Sequence, residues 1–258
     1  MRMRKTAGPR PRSGETLDTF HRGRVRLYQK KKGYRFSVDA PLLADFIRTK
    51  KTDDALEVGT GSGIIALLLG AGRRPFRRLT ALEVQPGLAA LAKRNVALNG
   101  LEGRVEVVRA DYREYAPGRT FDLVFSNPPY VPRAGGYLSR TSERAVARHE
   151  LHGGIADLMR KTAEWLKPGG RACFVFPERR RADFLEAAKA NGLRLRRWRP
   201  VKPRAGEPAN LFLAEVGLAG SGRTTGEGGR ANKLPALVLF KKDGSHTAEA
   251  EAIFSGRR

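Results

Sequence analysis

Four places in the chain carry side chains whose type and spacing could bind a small ligand or activate a reacting group. The first is Glu57-Val-Gly-Thr-Gly-Ser-Gly63, directly after one short apolar run and before another. Glycines at 59, 61 and 63 let the backbone approach a ligand without Cβ obstruction. Their spacing is G-x-G-x-G, not the G-x-G-x-x-G of dinucleotide sites, and Glu57 precedes them; both points argue against NAD. The second place is Glu83, at the end of the next apolar run, where an acid can accept hydrogen bonds from ribose hydroxyls. The third is Asp111 in Arg109-Ala-Asp-Tyr112, where a carboxylate could meet an adenine amino group with Tyr112 nearby. Each has a plain structural reading as well: a tight connection, an exposed strand-end acid, a helix cap. Three successive strand ends bearing all of them describe a crevice, because ligands bind at the carboxyl ends of such strands.

The fourth place is Asn127-Pro128-Pro129-Tyr130, right after an apolar run ending at Ser126. Two prolines stiffen the backbone and remove N–H donors, so nearby carbonyls point in a fixed direction. An Asn amide oxygen and a backbone carbonyl can then both accept hydrogen bonds from one planar NH2 group. Tyr130 offers a face on which the ring bearing that group can stack. Asn-Pro-Pro-Tyr is also a good turn, but its place after the fourth strand of a regular alternation favours chemistry.

The elements that must position these residues follow from the apolar pattern. Residues 55–58, 79–84, 105–108, 121–126 and 172–176 read as strands, and 64–69, 86–98, 155–166 and 184–190 as helices. Pro86 marks a helix start, and Asn99-Gly100 and Asn191-Gly192 mark helix stops. Residues 193–200 and 210–216 read as a strand pair, and a short helix is expected near 39–46 and another over 246–254. Strands alternating with helices imply a parallel sheet covered on both faces. The domain order is then a disordered basic arm at 1–16, a lead-in segment at 17–53, a core at 54–218, a flexible linker at 219–232 and a C-terminal extension at 233–258.

These motifs make the chain resemble a class I S-adenosylmethionine-dependent methyltransferase of the Asn-Pro-Pro-Tyr type. More closely it resembles the tRNA1(Val) adenine-37 N6-methyltransferase family. The resemblance covers about residues 17–256 and includes Gly33-Tyr-Arg-Phe-Ser-Val-Asp39, Leu234-Pro-Ala-Leu-Val-Leu-Phe240 and Lys242-Asp-Gly-Ser-His-Thr247. It implies a Rossmann-like α/β fold, with a seven-stranded, mostly parallel sheet, an antiparallel edge hairpin and a short C-terminal extension. It implies S-adenosylmethionine as cofactor, with Glu57, Gly59, Gly61 and Gly63 framing the methionine end and Glu83 holding the ribose. Asp111 and Tyr112 then lie by the adenine, and Asn127 between cofactor and substrate. Asn127, Pro128 and Tyr130 form the catalytic set, and Tyr34 to Phe36 help to cover the site.

Charge points to the partner. The chain of 258 residues has 50 Lys and Arg against 26 Asp and Glu, a formal net charge of +24. A polyanion suits such a surface, and nucleic acid binds by phosphate neutralisation with counterion release. Arg24, Arg26, Lys30, Lys31, Lys32 and Arg35 in the lead-in, with Arg194, Arg196 and Arg197 further on, are the expected RNA contacts. Arg outnumbers Lys by 36 to 14, a bias that genome composition alone can produce.

Other features are set aside. One cysteine, Cys173, excludes an internal disulfide and reads as core. His149, Glu150 and His152 lack the H-E-x-x-H spacing, so no metal is expected. No apolar run approaches the ~18–20 residues that cross a bilayer, and a cytoplasmic location is expected. The alternatives are a protein glutamine N5-methyltransferase, whose substrate amide presents the same NH2, a methylase of an rRNA or DNA amine, and a non-catalytic RNA-binding protein on the same fold. Against the glutamine enzyme, only about 50 residues precede the glycine turn, too few for a separate recognition bundle.

Overall fold

The computed structural model describes residues 10–33, 35–72, 76–128, 154–220 and 230–257. An antiparallel hairpin, β1 (Glu15–Phe20) and β2 (Val25–Lys30), opens the described chain and leads to helix α1 (Asp39–Phe46). An alternation follows: β3 (Asp54–Val58), α2 (Ile64–Gly70), β4 (Arg78–Glu83), α3 (Pro86–Leu98), β5 (Val105–Arg109) and β6 (Phe121–Ser126). After residue 153 come α4 (Gly154–Trp165), β7 (Leu166–Pro177), α5 (Arg181–Ala190), β8 (Leu193–Arg204) and β9 (Leu211–Leu218). The chain then adds β10 (Asn232–Lys233), β11 (Leu237–Phe240) and α6 (Ala248–Phe254).

The main sheet runs β10-β8-β9-β7-β6-β3-β4-β5, with β11 also on β8. Only β9 is antiparallel to its neighbours. A parallel strand covered on both faces must be apolar on both, and every residue of β3 is buried. Side chains alternate between two cores. Ala55, Leu123, Phe125, Cys173 and Val175 join α1, α2, α6 and β2 on one face. Leu56, Val124, Ala172, Phe174 and Phe176 join α4 and α5 on the other. Cys173 is fully buried and burial pushes its thiol pKa up, as a core cysteine requires.

Four expectations are corrected. Among the described residues the sheet has nine strands, not seven, because β10 and β11 pair in parallel with β8. β9 runs antiparallel to β8 and ends where β8 begins, at Leu193↔Leu218, so β10 and β11 start from that end and run parallel to β8 on its other side. The β8–β9 hairpin is therefore not the edge, and β11 and α6 of the expected extension join the main sheet and core; Ala250 and Ile253 of α6 are buried there. β1 begins at Glu15, so the hairpin takes in the last two residues of the span expected as the arm. β7 also starts directly after α4, with Lys167-Pro-Gly-Gly170 accommodated as a register shift between Phe121↔Leu166 and Leu123↔Arg171. Gly170 is needed there, because a Cβ would stand 2.8 Å from the Lys167 carbonyl oxygen.

The arginine cluster of β8 changes meaning for the same reason. Arg197 stacks over the Phe46 ring at 3.9 Å and donates to Glu215 at 2.6 Å and to the Phe46 carbonyl at 2.9 Å. Arg196 is buried over the backbone of Gly217, and Arg194 is half-buried. Arg196 and Arg197 are thus structural arginines, not open RNA contacts: one lies over the neighbouring strand at Gly217, the other between Phe46 and Glu215. Removing one partner of a buried pair strands the other. Arg197→Ala is expected to lower unfolding free energy by roughly 3–5 kcal/mol in a urea titration, and a loss below about 1 kcal/mol would return Arg197 to the surface set.

Candidate active site at the carboxyl ends of the strands

Register decides which residues meet. Val58 of β3 pairs with Ser126 of β6 and with Leu82 of β4, and Glu83 pairs with Arg109 of β5. The residues just beyond therefore form one row: Asn127, Gly59, Glu83 and Arg109. At the usual strand spacing this row is about 14 Å long. The chain leaves β3 towards β4 on one side and reaches β6 on the other, so Gly59 and Asn127 flank the point where strand order reverses. Such points open a crevice.

The glycine turn is held from below by two acids. Gly59, Gly61 and Gly63 all have positive φ, at 73°, 59° and 88°, a conformation other residues rarely adopt. The Gly61 N–H donates to Glu83 Oε2 at 2.8 Å, and the Gln85 N–H donates to Glu83 Oε1 at 2.9 Å. Glu83 thereby ties the turn after β3 to the turn after β4. Glu57 is 1% exposed and accepts from the Thr60 hydroxyl at 2.7 Å and from the Ala66 N–H. Burial pushes its pKa up to about 8, opposed by the Thr60 hydrogen bond and reinforced by the Glu83 carboxylate.

This sets a pH dependence with a definite sign. Between the ordinary value of 4.5 and about 8, folding takes up a proton at Glu57. The contribution is fully present below 4.5 and lost as pH rises through about 8. Glu57→Gln keeps the shape and stays neutral. In the absence of ligand it should gain stability over the parent by on the order of a few kcal/mol between pH 5 and 9. Parallel stability profiles in chemical denaturation would refute the assignment.

Asp111 and Tyr112 turn in different directions. The Asp111 carboxylate is partly exposed and binds the Arg113 guanidinium and the Arg113 N–H at 2.9 Å. This is the turn-capping geometry, and it holds the acid beside the row. Tyr112 is buried in the core under β6 and α4, with no partner for its hydroxyl among the described residues; burial pushes its pKa up to about 12. Asn127 is half-buried and Pro128 buried, whereas Pro129 and Tyr130 lie outside the described residues. So do Tyr34, His149, Glu150 and His152. Phe36 packs edge-on against Phe20, with ring centres 5.0 Å apart, and joins the core. Among the described residues, no group of His, Cys, Asp or Glu is placed to hold a metal, and no helix is long and apolar enough to cross a membrane.

The lead-in basic residues are divided. Arg24, Lys31, Lys32 and Arg35 are exposed, Arg35 paired with Asp18 at 2.7 Å. Arg26 is half-buried and donates to the Leu98 carbonyl at 3.0 Å. Lys30 reaches the first turn of α3, its Nζ 3.6 Å from where a Cβ on Gly87 would stand. Sequence reasoning passes over Thr60, Gln85 and Asn95, which position the turn; the only trace is an Asn at 95 and again at 99, one helical turn apart.

A glycine turn, an acid on the neighbouring strand and an Asn-Pro pair at the switch point of this sheet are the arrangement of a class I methyltransferase, a class whose methyl donor is S-adenosylmethionine. The likeness extends over most of the chain. It superposes with a TM-score of 0.62 on an Agrobacterium tumefaciens protein described as a predicted O-methyltransferase, at 22% identity over 85% of this chain and 96% of that one. The tRNA m1G37 methyltransferase of M. jannaschii gives a TM-score of 0.58 at 15% identity, covering 80% and 55%. Both likenesses concern the fold alone. The chain belongs to the methyltransferase small domain family, whose model matches residues 35–187. A tRNA1(Val) (adenine(37)-N6)-methyltransferase of Flavobacteriaceae bacterium strain 3519-10 is 33% identical over 76% of this chain and 83% of its own length. The enzyme of the same name from Vibrio campbellii is 30% identical over 71% and 76%.

Proposed function

We propose that the chain transfers a methyl group from S-adenosylmethionine to the N6 amino nitrogen of an adenine in tRNA. The observation that carries this reading is the row in which Asn127 and Pro128 follow β6 beside the glycine turn that follows β3. Relatives named for that reaction support it. The residues present fit the cofactor. Among the described residues, apart from Gly59 and its two chain neighbours, no atom lies within 4 Å of where a Cβ on Gly59 would stand, so that face of the turn is open to them. Ser62 Oγ is buried without a partner among the described residues. Glu83, which accepts the two N–H groups named above, stands at the turn, the place in such sheets where an acid meets the ribose hydroxyls.

When bound, the cofactor supplies an electrophilic methyl on a sulfonium. In this reading Gly59, Gly61 and Gly63 cradle its methionine end with Glu57 beneath, and Asp111 faces its adenine. The substrate amine is a poor nucleophile because its lone pair is delocalised into the base. The Asn127 side-chain oxygen and the Pro128 carbonyl accept its two N–H groups, favouring a pyramidal nitrogen and stabilising the positive charge that develops there. Alignment of nitrogen with the methyl carbon supplies the larger share. No dedicated base is required, since the methylated ammonium loses a proton to solvent. Tyr130 serves as stacking face for a base taken out of its own stack. Arg24, Lys30, Lys31, Lys32 and Arg35 of the lead-in meet phosphates, which position RNA without reading its sequence.

The test is methyl transfer from labelled cofactor to separate pools of tRNA, rRNA, DNA and protein, followed by nucleoside and amino-acid analysis. N6-methyladenosine in tRNA is the expected product. Label confined to protein glutamine, or to another nucleobase, would overturn this reading.

A further inference from the structure

The hairpin β1–β2 is bound to α3 by side chains that imitate a neighbouring strand. The Arg26 N–H donates to Asn99 Oδ1 at 2.9 Å, and Asn99 Nδ2 donates to the Arg26 carbonyl at 2.7 Å. Two residues on, the Tyr28 N–H donates to Asn95 Oδ1 at 2.7 Å, and Asn95 Nδ2 donates to the Tyr28 carbonyl at 3.0 Å. The match follows from periodicity. Asparagines one helical turn apart share a face, and alternate residues of a strand turn their backbone groups to the same side.

Asn95 does one thing that Asn99 does not. Its second amide proton goes to the carbonyl of Ser62 at 2.9 Å, inside the glycine turn. Asn95 is wholly buried, so no water can replace that donor. Ser62 stands between Gly61 and Gly63, the residues with the fewest steric limits on their backbone. The rest of the turn is held from β4: the Thr60 N–H donates to the Leu82 carbonyl at 2.8 Å and the Gly61 N–H to Glu83. Hairpin and turn thus share the NH2 group of a single buried amide.

We propose that Asn95 is a positioning residue that couples docking of the N-terminal hairpin to the shape of the cofactor turn. Hairpin order and cofactor binding are then thermodynamically linked, and linkage is reciprocal. Because the hairpin also carries Lys30 and leads into Lys31 and Lys32, RNA held there steadies the turn, and cofactor in the turn steadies the RNA-facing hairpin. The inference rests on the reading that the turn binds the cofactor.

Amide hydrogen exchange on the full chain, with and without saturating S-adenosylhomocysteine, separates the two claims. The expected result is slower exchange both across residues 60–63 and at Arg26 and Tyr28. Protection of 60–63 with no change in the hairpin overturns the coupling. No protection of 60–63 overturns the cofactor reading itself. A pair of variants adds a readout that loss of stability does not move. Asn95→Ala should raise the cofactor Kd by about tenfold with kcat at saturating cofactor kept within about twofold. Asn99→Ala loosens the same hairpin but leaves the Asn95–Ser62 bond in place, so its effect on cofactor Kd, carried by the linkage alone, should be smaller, about two- to threefold. Equal shifts in the two variants overturn the proposal. If Asn95→Ala does not fold, Asn95→Ser takes its place, and the exchange result on the unaltered chain decides.

Discussion

Asn127→Ala is expected to slow single-turnover methyl transfer by about 10²–10³-fold, as loss of one preorganised partner of a developing charge does. The side chain stands directly after Ser126, whose hydroxyl donates to the Val58 carbonyl at 2.8 Å and so pins the end of β6 to the end of β3. Its backbone position is therefore held by the sheet and survives removal of the amide. Under the proposed mechanism the amide oxygen acts on the nitrogen as charge appears there, so the loss falls on the rate at saturating cofactor and RNA. Cofactor affinity should stay within about threefold, because the turn and Glu83 are untouched. Asn127→Asp keeps an acceptor and should retain more activity than alanine. Unchanged transfer in Asn127→Ala removes this residue from the chemistry.

Glu83→Ala should weaken cofactor binding by at least about 100-fold, read by equilibrium dialysis. Two effects add. The N–H groups of Gly61 and Gln85 lose their acceptor, at ~1–3 kcal/mol for each donor left buried and unsatisfied. Under the proposed reading, the ribose loses its acid. Glu83 is 5% exposed, so water reaches the stranded donors poorly. Glu83→Gln retains one acceptor oxygen and should fall between the parent and alanine. It also removes a negative charge near Glu57, whose pKa that charge raises, so the Glu57 titration should move down. Cofactor affinity unchanged in Glu83→Ala would show that the acid serves the fold alone.

The alternation of strands and helices is written locally, in apolar runs of four to six residues closed by glycine, proline or asparagine, and the sheet reproduces it. Hence the Gly59–Gly61–Gly63 spacing, Glu83 and Asn127 could be placed at strand ends without coordinates. The hairpin could not. Glu15–Phe20 is ETLDTF, with two apolar residues in six, and what fixes it lies far along the chain: Asn95, Asn99 and the Arg94–Glu15 pair at 2.6 Å. The extension was misjudged for a related reason. Leu237–Phe240 looks like a detached apolar segment until Val201 and Arg204 are seen to pair with it.

Charge shows the division most sharply. The composition pointed to a polyanionic partner, and local spacing pointed to the class of reaction, because turn geometry and strand ends depend on residues close in the chain. Which arginines meet solvent was decided only by the tertiary structure. Arg197 reaches the Phe46 carbonyl 151 residues away, and Asn95 reaches Tyr28 across 67. Contacts at such separations exist only after the chain has closed on itself, and with them came the burial of Arg196 and Arg197 and the single amide that holds hairpin and glycine turn together.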